Sequence, residues 1–289
     1  MAKLRTRNHK VVLARSAGGD AAITVLLVIL GVFMFLPMLY VIMQSLKPLD
    51  ELWMYPPRFI VTSPTLKNFR DLFTLMNISW VPFSRYIFNT VLVSVAGTFG
   101  HLLLASMAAY ALAKIKFPGK NGMFQLVQLS LMFNATVTTI TSFILMSELH
   151  WLDTYWALIV PAWGSTLGLY LMKQFMEGLP MSLIESAKID GAKEFRIFWT
   201  IVMPNVKPAW LTLIIFSVQN LWNAKASAVI YSEAQKTLVY ALQQIQAGGI
   251  ARTGQAAAVT VVVMAVPILI FILSQSQILE TMATSGLKD

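Results

Sequence analysis

The chain has 289 residues, of which 57% are hydrophobic and only 12% are charged, and its mean hydropathy is +0.66. Soluble domains carry about 25% charged residues, so this composition argues against a soluble fold and indicates a protein that lies in lipid. The chain has no cysteine, which excludes disulfides and thiolate metal sites. Its net charge of +9 does not favour nucleic-acid binding, because the basic residues lie between long apolar segments, where they set membrane topology.

Six apolar segments are each long enough to cross a bilayer, whose hydrocarbon core of about 30 Å takes about 20 helical residues. These segments are residues 21–43, 86–113, 123–147, 154–172, 209–230 and 255–279. The first follows a basic stretch similar to the start of a signal peptide, but it is too long for one and lacks a clear cleavage site. Pro37, Pro161 and Pro267 lie inside spans, where we expect kinks. The sequence therefore predicts an all-α polytopic membrane protein with six transmembrane helices.

The basic residues predict which side of the membrane each connection faces. Lys114, Lys116 and Lys120 crowd the connection after the second span, whereas the connection 148–153 has no Lys or Arg. Because Lys and Arg are enriched in cytoplasmic loops, both termini are expected in the cytoplasm. The chain then divides into a cytoplasmic N-terminal segment (1–20), a transmembrane domain (21–279) with a cytoplasmic loop (173–208) and two external loops (45–85 and 231–254), and a cytoplasmic C-terminal tail (280–289).

The predicted spans contain almost no ionisable side chains. His101 lies inside the second span and Lys225 near the end of the fifth, and no Asp or Glu lies within a span. A single His on an apolar helix is more often a packed, hydrogen-bonded residue than a proton relay. An ion-coupled carrier and an intramembrane enzyme remain alternatives, but the first needs intramembrane carboxylates and the second needs clustered catalytic groups. The energy source is therefore expected outside this chain.

Two glycine motifs have simple explanations. Residues 249–255 have the spacing of a phosphate-binding P-loop, but Gln255 stands where that loop needs a Lys, and the segment falls on the predicted external side. We interpret it as a chance match, so the chain is predicted to hold no ATPase site. Gly164 and Gly168 in the fourth span are predicted to form a helix-packing surface.

The most informative stretch lies in the cytoplasmic loop and predicts two short helices. Pro180 suits the first turn of a helix, Ser182 and Glu185 have the spacing of a capping box, and Gly191 tolerates the left-handed backbone that ends a helix. The second helix is predicted to carry an apolar stripe, because four large residues recur at positions i, i+3, i+4 and i+7. These residues are Phe195, Phe198, Trp199 and Val202.

This stretch resembles the EAA motif of ABC importer permeases, in which Glu-Ala-Ala is followed after three residues by Gly and later by Ile-x-Leu-Pro. Here the motif is Glu185-Ser186-Ala187, Gly191 and Ile201-Val202-Met203-Pro204, so Ser186 and Met203 are departures from the pattern. The resemblance extends over nearly the whole chain and points to the maltose-type, six-span permeases of carbohydrate uptake. The segments that support this subfamily are 110–113, 117–120, 222–223, 237–238 and 256–288.

The resemblance implies the fold of a type I ABC importer and a role as one permease subunit of an ATP-driven importer for a sugar or oligosaccharide. The implied partners are a second homologous permease, two ATPase subunits that hold ATP and Mg²⁺, and an extracellular or periplasmic solute-binding protein. The implied location is the bacterial inner membrane. The chain itself would be no enzyme and would hold no cofactor or metal.

Three sets of residues follow from this resemblance. Contact with the ATPase is implied for Glu185, Ser186, Ala187, Asp190 and Gly191, although Glu185 could merely cap its own helix. Contact with the binding protein is expected for Gln246, Gly248, Gly249 and Arg252, with an ordinary connector as the alternative. The candidates for the substrate pathway are Asn134, Trp163, Gln219 and Asn223, each of which is more often a helix-packing residue than a ligand.

Overall fold

The computed structural model describes residues 17–286, except 79, 134, 225–227, 247 and 250–251. The predicted substrate residue Asn134, the basic Lys225 and most of the predicted N-terminal segment lie outside the described residues. Within the described part of the chain, every regular element is a helix and there is no strand. The all-α fold is therefore confirmed.

The helices occupy the following ranges in chain order: α1 Ala17–Leu46, α2 Leu49–Leu52, α3 Lys67–Ile78, α4 Phe83–Lys114, α5 Lys120–Ser130, α6 Ala135–Glu148, α7 Trp156–Trp163, α8 Thr166–Glu177, α9 Met181–Ile189, α10 Glu194–Ile197, α11 Met203–Asn205, α12 Lys207–Trp222, α13 Leu238–Gln246 and α14 Thr253–Gly286. A π-helical turn, Phe198–Val202, joins α10 to α11, and a 3₁₀ turn, Glu233–Gln235, precedes α13.

Three helices of the described chain, α1, α4 and α14, are each long and apolar enough to cross a membrane. A fourth candidate is a bent pair, in which Glu194–Asn205 meets Lys207–Trp222 at 82°. Pro208 stands at the start of α12, where the missing N–H of proline is harmless and its ring prevents the preceding helix from continuing straight. The bend therefore turns the chain from a surface segment into the bundle.

Three of the predicted spans differ from single continuous helices. The third divides into α5 and α6, and the fourth divides into α7 and α8 at Gly164 and Ser165, three residues after Pro161. The fifth was expected to reach residue 230, but α12 ends at Trp222. There the Asn223 side chain donates to the Gln219 carbonyl at 2.9 Å and so competes with the backbone for a helical acceptor.

Helix α4 lies at the centre of the bundle and packs against α7, α8 and α12, while α14 packs against α1, α3, α12 and α13. Glycines allow the close approach on α4. A Cβ at Gly100 would lie 2.1 Å from the Trp163 indole nitrogen, and one at Gly168 would lie 2.3 Å from His101 Nε2. Gly168 therefore packs as the sequence predicts, whereas Gly164 has only a backbone carbonyl at 3.6 Å.

We expect Gly100→Ala to destabilise the protein, because the new methyl group overlaps the Trp163 ring and the helices must separate to admit it. Overpacking of this kind costs about 1–3 kcal/mol. Thermal unfolding of the purified protein in detergent measures the effect. The matched control is Gly31→Ala, since nothing lies within 4 Å of a Cβ at that position in α1. Equal unfolding temperatures for the two variants would contradict the packing at Gly100.

Candidate functional site

The predicted first helix of the loop is α9, and its end has the geometry that the sequence predicts. Gly191 has φ of +80°, in the left-handed region that glycine adopts without strain. The Gly191 N–H donates to the Lys188 carbonyl at 3.0 Å, and the Ala192 N–H donates to the Ala187 carbonyl at 2.9 Å. These two bonds form a Schellman motif, which fixes the direction in which the chain leaves the helix.

The predicted capping box at the start of α9 is wrong. The N-cap is Pro180, in an extended conformation, and no side chain caps the helix there. Ser182 lies inside the helix, because proline already fixes the backbone angle from which the first turn starts. Glu185 is therefore not engaged in a cap, and its side chain is exposed.

One face of α9 packs on the bundle and the other is exposed. Ile184 and Ala187 are buried in the same apolar cluster as Tyr110, and Ala187 is only 8% exposed. The expectation that Ala187 offers its small side chain to a partner is thus corrected: the methyl group faces the core of this chain. The other residues expected on this face are exposed, namely Glu185, Ser186, Asp190 and Gly191.

Sequence reasoning missed several exposed apolar residues beside them. Ile189 is 86% exposed and Phe195 is 67% exposed, and Leu183 is also largely uncovered. The sequence did carry a signal for Leu183 and Ile189, since α9 has more apolar residues than one buried face of a nine-residue helix can hold. Large apolar side chains that stay exposed next to polar ones are typical of a docking surface.

The predicted apolar stripe of the second helix is only half correct. Phe198 and Val202 are buried, but Phe195 and Trp199 are exposed. The buried side of this segment is centred on Ile197, Phe198 and Val202, so Phe195, which lies before the π-helical turn Phe198–Val202, falls outside it. Ile197 takes the buried position that the α-helical spacing gave to its neighbours.

Polar contacts fasten this segment to α4. The Tyr110 hydroxyl donates to Glu194 Oε2 at 2.6 Å, and Lys188 Nζ lies 2.5 Å from Glu194 Oε1. The hydrogen bonds from Lys188 and then from Tyr110 hold the pKa of the Glu194 carboxyl below its usual range, so it is ionised at neutral pH. Lys114 Nζ donates to the Leu179 carbonyl at 2.6 Å, just before α9 begins.

Hydrogen bonds hold the predicted external loop 231–254 to the N-terminal end of α4. Asn89 Nδ2 donates to the carbonyls of Ala234 and Lys236 at 2.9 and 2.8 Å, and Asn89 Oδ1 accepts the Tyr155 hydroxyl at 2.7 Å. The Tyr86 hydroxyl donates to Glu233 Oε1 at 2.8 Å. These contacts hold the loop and α13 on the bundle.

The residues expected to contact a binding protein lie between α13 and α14. Gly248, Gly249 and Arg252 are exposed, and Gly249 has φ of +80°. Gln246 is the last residue of α13, and its side chain is not among those that the structure describes. The structure thus places Gly248, Gly249 and Arg252 at the surface, on the connection between α13 and α14.

Three of the four residues expected along the substrate pathway lie in the described part of the chain, and two of them have contacts within or between helices. The Trp163 indole donates to the Ala96 carbonyl at 3.1 Å, so it has the helix-packing role that was the alternative. The Asn223 side chain donates to the Gln219 backbone carbonyl, a local contact at the end of α12.

A cavity of about 130 Å³ lies instead where the break between α7 and α8 faces α4 and α12. Its polar lining comes from His101, Ser165, Ser217 and Asn220. His101 Nδ1 lies 2.6 Å from Ser217 Oγ, and its Nε2 lies 3.2 Å from the Ser165 carbonyl oxygen. His101 is therefore a packed, hydrogen-bonded residue, as the sequence predicts. Ser217 and Asn220 escaped notice because single polar residues in a span carry no periodic signal.

Comparison with known families identifies the class of protein. The profile of the binding-protein-dependent transport system inner membrane components matches residues 101–282, which is more than half of the chain. The chain belongs to this family. It is a membrane-embedded permease of a binding-protein-dependent transport system and not an enzyme.

Several curated relatives cover most of the chain. A probable ABC transporter permease protein of Pyrococcus horikoshii is 28% identical over 260 residues, which is 88% of this chain and 92% of the relative. Protein LplC of Bacillus subtilis is 33% identical over 74% of this chain and 71% of its own length. A polygalacturonan/rhamnogalacturonan transport system permease protein, YtcP of Bacillus subtilis, is 31% identical over 73% of this chain and 72% of its own length.

The solved structures agree on the fold. A bacterial ABC transporter involved in the import of the acidic polysaccharide alginate contains a chain that superposes with a TM-score of 0.76 at 20% identity. The match covers 91% of this chain and 98% of that one. The alginate ABC transporter in complex with its pentasaccharide-bound periplasmic protein gives a TM-score of 0.61 at 15% identity, over 90% and 96% of the two chains. The fold is that of an ABC importer permease.

Proposed function

We propose that the chain is one of two permease subunits of an ATP-driven importer that moves a sugar or oligosaccharide delivered by a binding protein. The observation that carries the proposal is α9, a short helix anchored on one face and exposed on the other, in a chain of the binding-protein-dependent family. The cargo named for the Bacillus relative YtcP, polygalacturonan or rhamnogalacturonan, supports a carbohydrate. Glycerol 3-phosphate, named for UgpE of Yersinia enterocolitica at 30% identity over 68% of this chain and 71% of its own length, is the competing cargo class.

The proposal includes six passages through the bacterial inner membrane. They are α1, α4, the pair α5 and α6, the pair α7 and α8, α12, and α14. The break between α7 and α8 supports this count, because irregular backbone at membrane depth is tolerated where it lines a cavity within the protein. The distribution of basic residues supports cytoplasmic termini, and it puts α9 in the cytoplasm and α13 outside.

We propose that the exposed face of α9 docks on a cytoplasmic ATPase subunit. Leu183 and Ile189 of α9, together with Phe195 of α10, supply apolar contact area, and Glu185 offers a carboxylate to a basic partner residue. ATP and Mg²⁺ belong to the two ATPase subunits, and no cofactor is assigned to this chain. Closure of the ATPase pair would move the two docked helices together and rock the permeases. To shift the populations of two pore states from 1:99 to 99:1, the docking contacts must favour one state by about 5.5 kcal/mol.

On the opposite side, we propose that the tip formed by Gln246, Gly248, Gly249 and Arg252 contacts the external binding protein. The hydrogen bonds of Asn89 to the loop carbonyls support this, because they connect the loop to α4, so a movement of the loop on partner binding can be transmitted to the bundle. The cavity beside His101 is the better candidate for a polar lining of the pathway than the four residues expected from the sequence.

We expect purification of the complete complex to recover this chain with a second permease and two ATPase subunits in fixed stoichiometry. In liposomes, with the binding protein present, the complex should transport an oligosaccharide only when ATP is supplied on the side of the membrane where the ATPase subunits lie. A panel of acidic and neutral oligosaccharides, with glycerol 3-phosphate as the comparison, then assigns the cargo class. Uptake driven by a proton or sodium gradient without ATP would sink the proposal.

We expect Gly191→Asp to abolish uptake and to lower stimulated ATP hydrolysis. The new side chain occupies a left-handed backbone position, which costs most residues about 1–2 kcal/mol and Asp less, so the main change is a charge added to the docking face. The matched control is Gly119→Asp, since Gly119 also has a positive φ, of +84°, and open space around it, but lies between α4 and α5. Normal uptake by Gly191→Asp, or equal loss in the control, counts against docking at α9.

Replacing residues 246–252 by a Gly-Ser segment of equal length should weaken the stimulation of ATP hydrolysis by the binding protein. Equal length preserves the connection between α13 and α14, so the change removes side chains rather than the fold. Basal hydrolysis without binding protein serves as the internal control and should stay unchanged. Undiminished stimulation would show that the segment is an ordinary connector.

A further inference from the structure

The cytoplasmic end of α4 holds α9 on both sides. Before α9, Lys114 Nζ donates to the Glu177 and Leu179 carbonyls at 3.2 and 2.6 Å. After α9, Tyr110 reaches Glu194 at the start of α10. Both α4 residues lie within the last five positions of that helix. The chain that contains α9 is therefore clamped at two points to one helix.

Glu194 joins three elements through its two carboxylate oxygens. Oε2 accepts the hydroxyl of Tyr110 from α4 at 2.6 Å, and Oε1 meets Lys188 Nζ from α9 at 2.5 Å. Tyr110 is only 5% exposed, and its ring packs against Phe198 with centroids 5.6 Å apart. Packing of the ring thus holds the Tyr110 hydroxyl in place, and the hydrogen bond from that hydroxyl holds the Glu194 carboxylate in place.

The magnitudes indicate that these contacts position the helix more than they stabilise it. The side chains of Lys188 and Glu194 are each 47% exposed, and ion pairs in such water-accessible sites add little stability. Burial of Ile184 and Ile197 in the apolar cluster holds the segment on the bundle without them. A hydrogen bond from a buried hydroxyl to a carboxylate, however, is short and strongly directional.

Helix α4 continues from this clamp to the predicted external loop. Tyr110 and Asn89 lie 21 positions apart on one uninterrupted helix, which is about 31 Å at 1.5 Å per residue. Asn89 holds the loop carbonyls of Ala234 and Lys236. One rigid rod therefore has the α9 clamp at one end and the base of the loop at the other.

We propose that Tyr110, Glu194 and Lys188 form a coupling bridge that sets the position of α9 on α4 and passes its movement along α4 to the base of the loop 231–254. This rests on the proposed function, because it assumes that α9 receives the movement of an ATPase. These are positioning residues: they act through α4 and touch neither nucleotide nor cargo.

Tyr110→Phe tests the bridge most cleanly, because it keeps the packed ring and removes only the hydroxyl. In the reconstituted complex we expect cargo transported per ATP hydrolysed to fall about tenfold, the fold-change for loss of one hydrogen bond to a charged group, while ATP hydrolysis continues. Glu194→Gln should have a similar effect. The double variant should fall no further than the more affected single variant, since both changes break one connection.

The matched control for Tyr110→Phe is Tyr170→Phe, which changes a cytoplasmic-side tyrosine that stacks on Phe124. For the lysine of the bridge, Lys188→Met is compared with the control Lys193→Met. A second readout is independent of transport. Hydrogen exchange of the backbone amides of residues 185–194 in the intact complex should become severalfold faster in Tyr110→Phe and stay unchanged in both controls.

The outcomes separate the two proposals. An unchanged ratio of transport to hydrolysis in Tyr110→Phe and Glu194→Gln overturns the bridge while leaving the importer intact. Unchanged hydrogen exchange overturns it as well, whatever the transport result. Absence of ATP-dependent uptake by the wild-type complex overturns the proposed function, and the exchange measurement still decides whether the three residues hold α9.

Discussion

The pairing of backbone polar groups is the constraint on which this structure depends, because lipid offers no partner to an N–H or a carbonyl. The chain meets it mainly with helices, and at two of their interruptions a side chain pairs with a backbone carbonyl. The carbonyl of Ser165, at the break between α7 and α8, faces His101 Nε2. At the sharp bend before α12, the Trp210 indole donates to the Met203 carbonyl at 3.1 Å. At these two interruptions, the side chain comes from another turn or another helix.

Helix α4 organises the rest of the molecule. Its Gly100 admits Trp163 closely, its C-terminal end holds the segment around α9, and its N-terminal end holds the loop before α13. The two sides of the protein are therefore joined by one continuous element and not by a relay of loops. For a permease of a binding-protein-dependent system, this gives a direct physical connection between the two faces at which partners are expected.

Much of the fold could be predicted from the sequence, because long apolar segments and glycine at a helix end act locally. The first, second and sixth predicted spans are single helices, and α9 ends at Gly191 as expected. The division of the third and fourth spans was not predictable from composition, since apolar windows do not show a break of two or three residues. The π-helical turn at Phe198 was also hidden, because the residues have a spacing that fits an α-helix equally well.

The candidate site shows the same division between local and tertiary information. The motif located the segment, but the burial of Ala187 depends on how α9 lies on α4, which no spacing reveals. The cavity at His101 is likewise formed by three separate parts of the chain. Its polar residues could be recognised only after the helices had been brought together.

The glycine contacts along α4 have a mechanical consequence. The Trp163 ring fills the recess left by Gly100, and His101 lies in the recess left by Gly168, so each helix projects into the other. Interlocked surfaces do not slide without first separating, and α4, α7 and α8 accordingly form one stiff block. At its margin, α5 meets α8 through the parallel rings of Phe124 and Tyr170, inclined by only 6°. Lys173 Nζ of α8 also lies 3.8 Å from the centroid of the Phe124 ring, so a flat stack and a cation, and not a filled recess, hold α5 on this block.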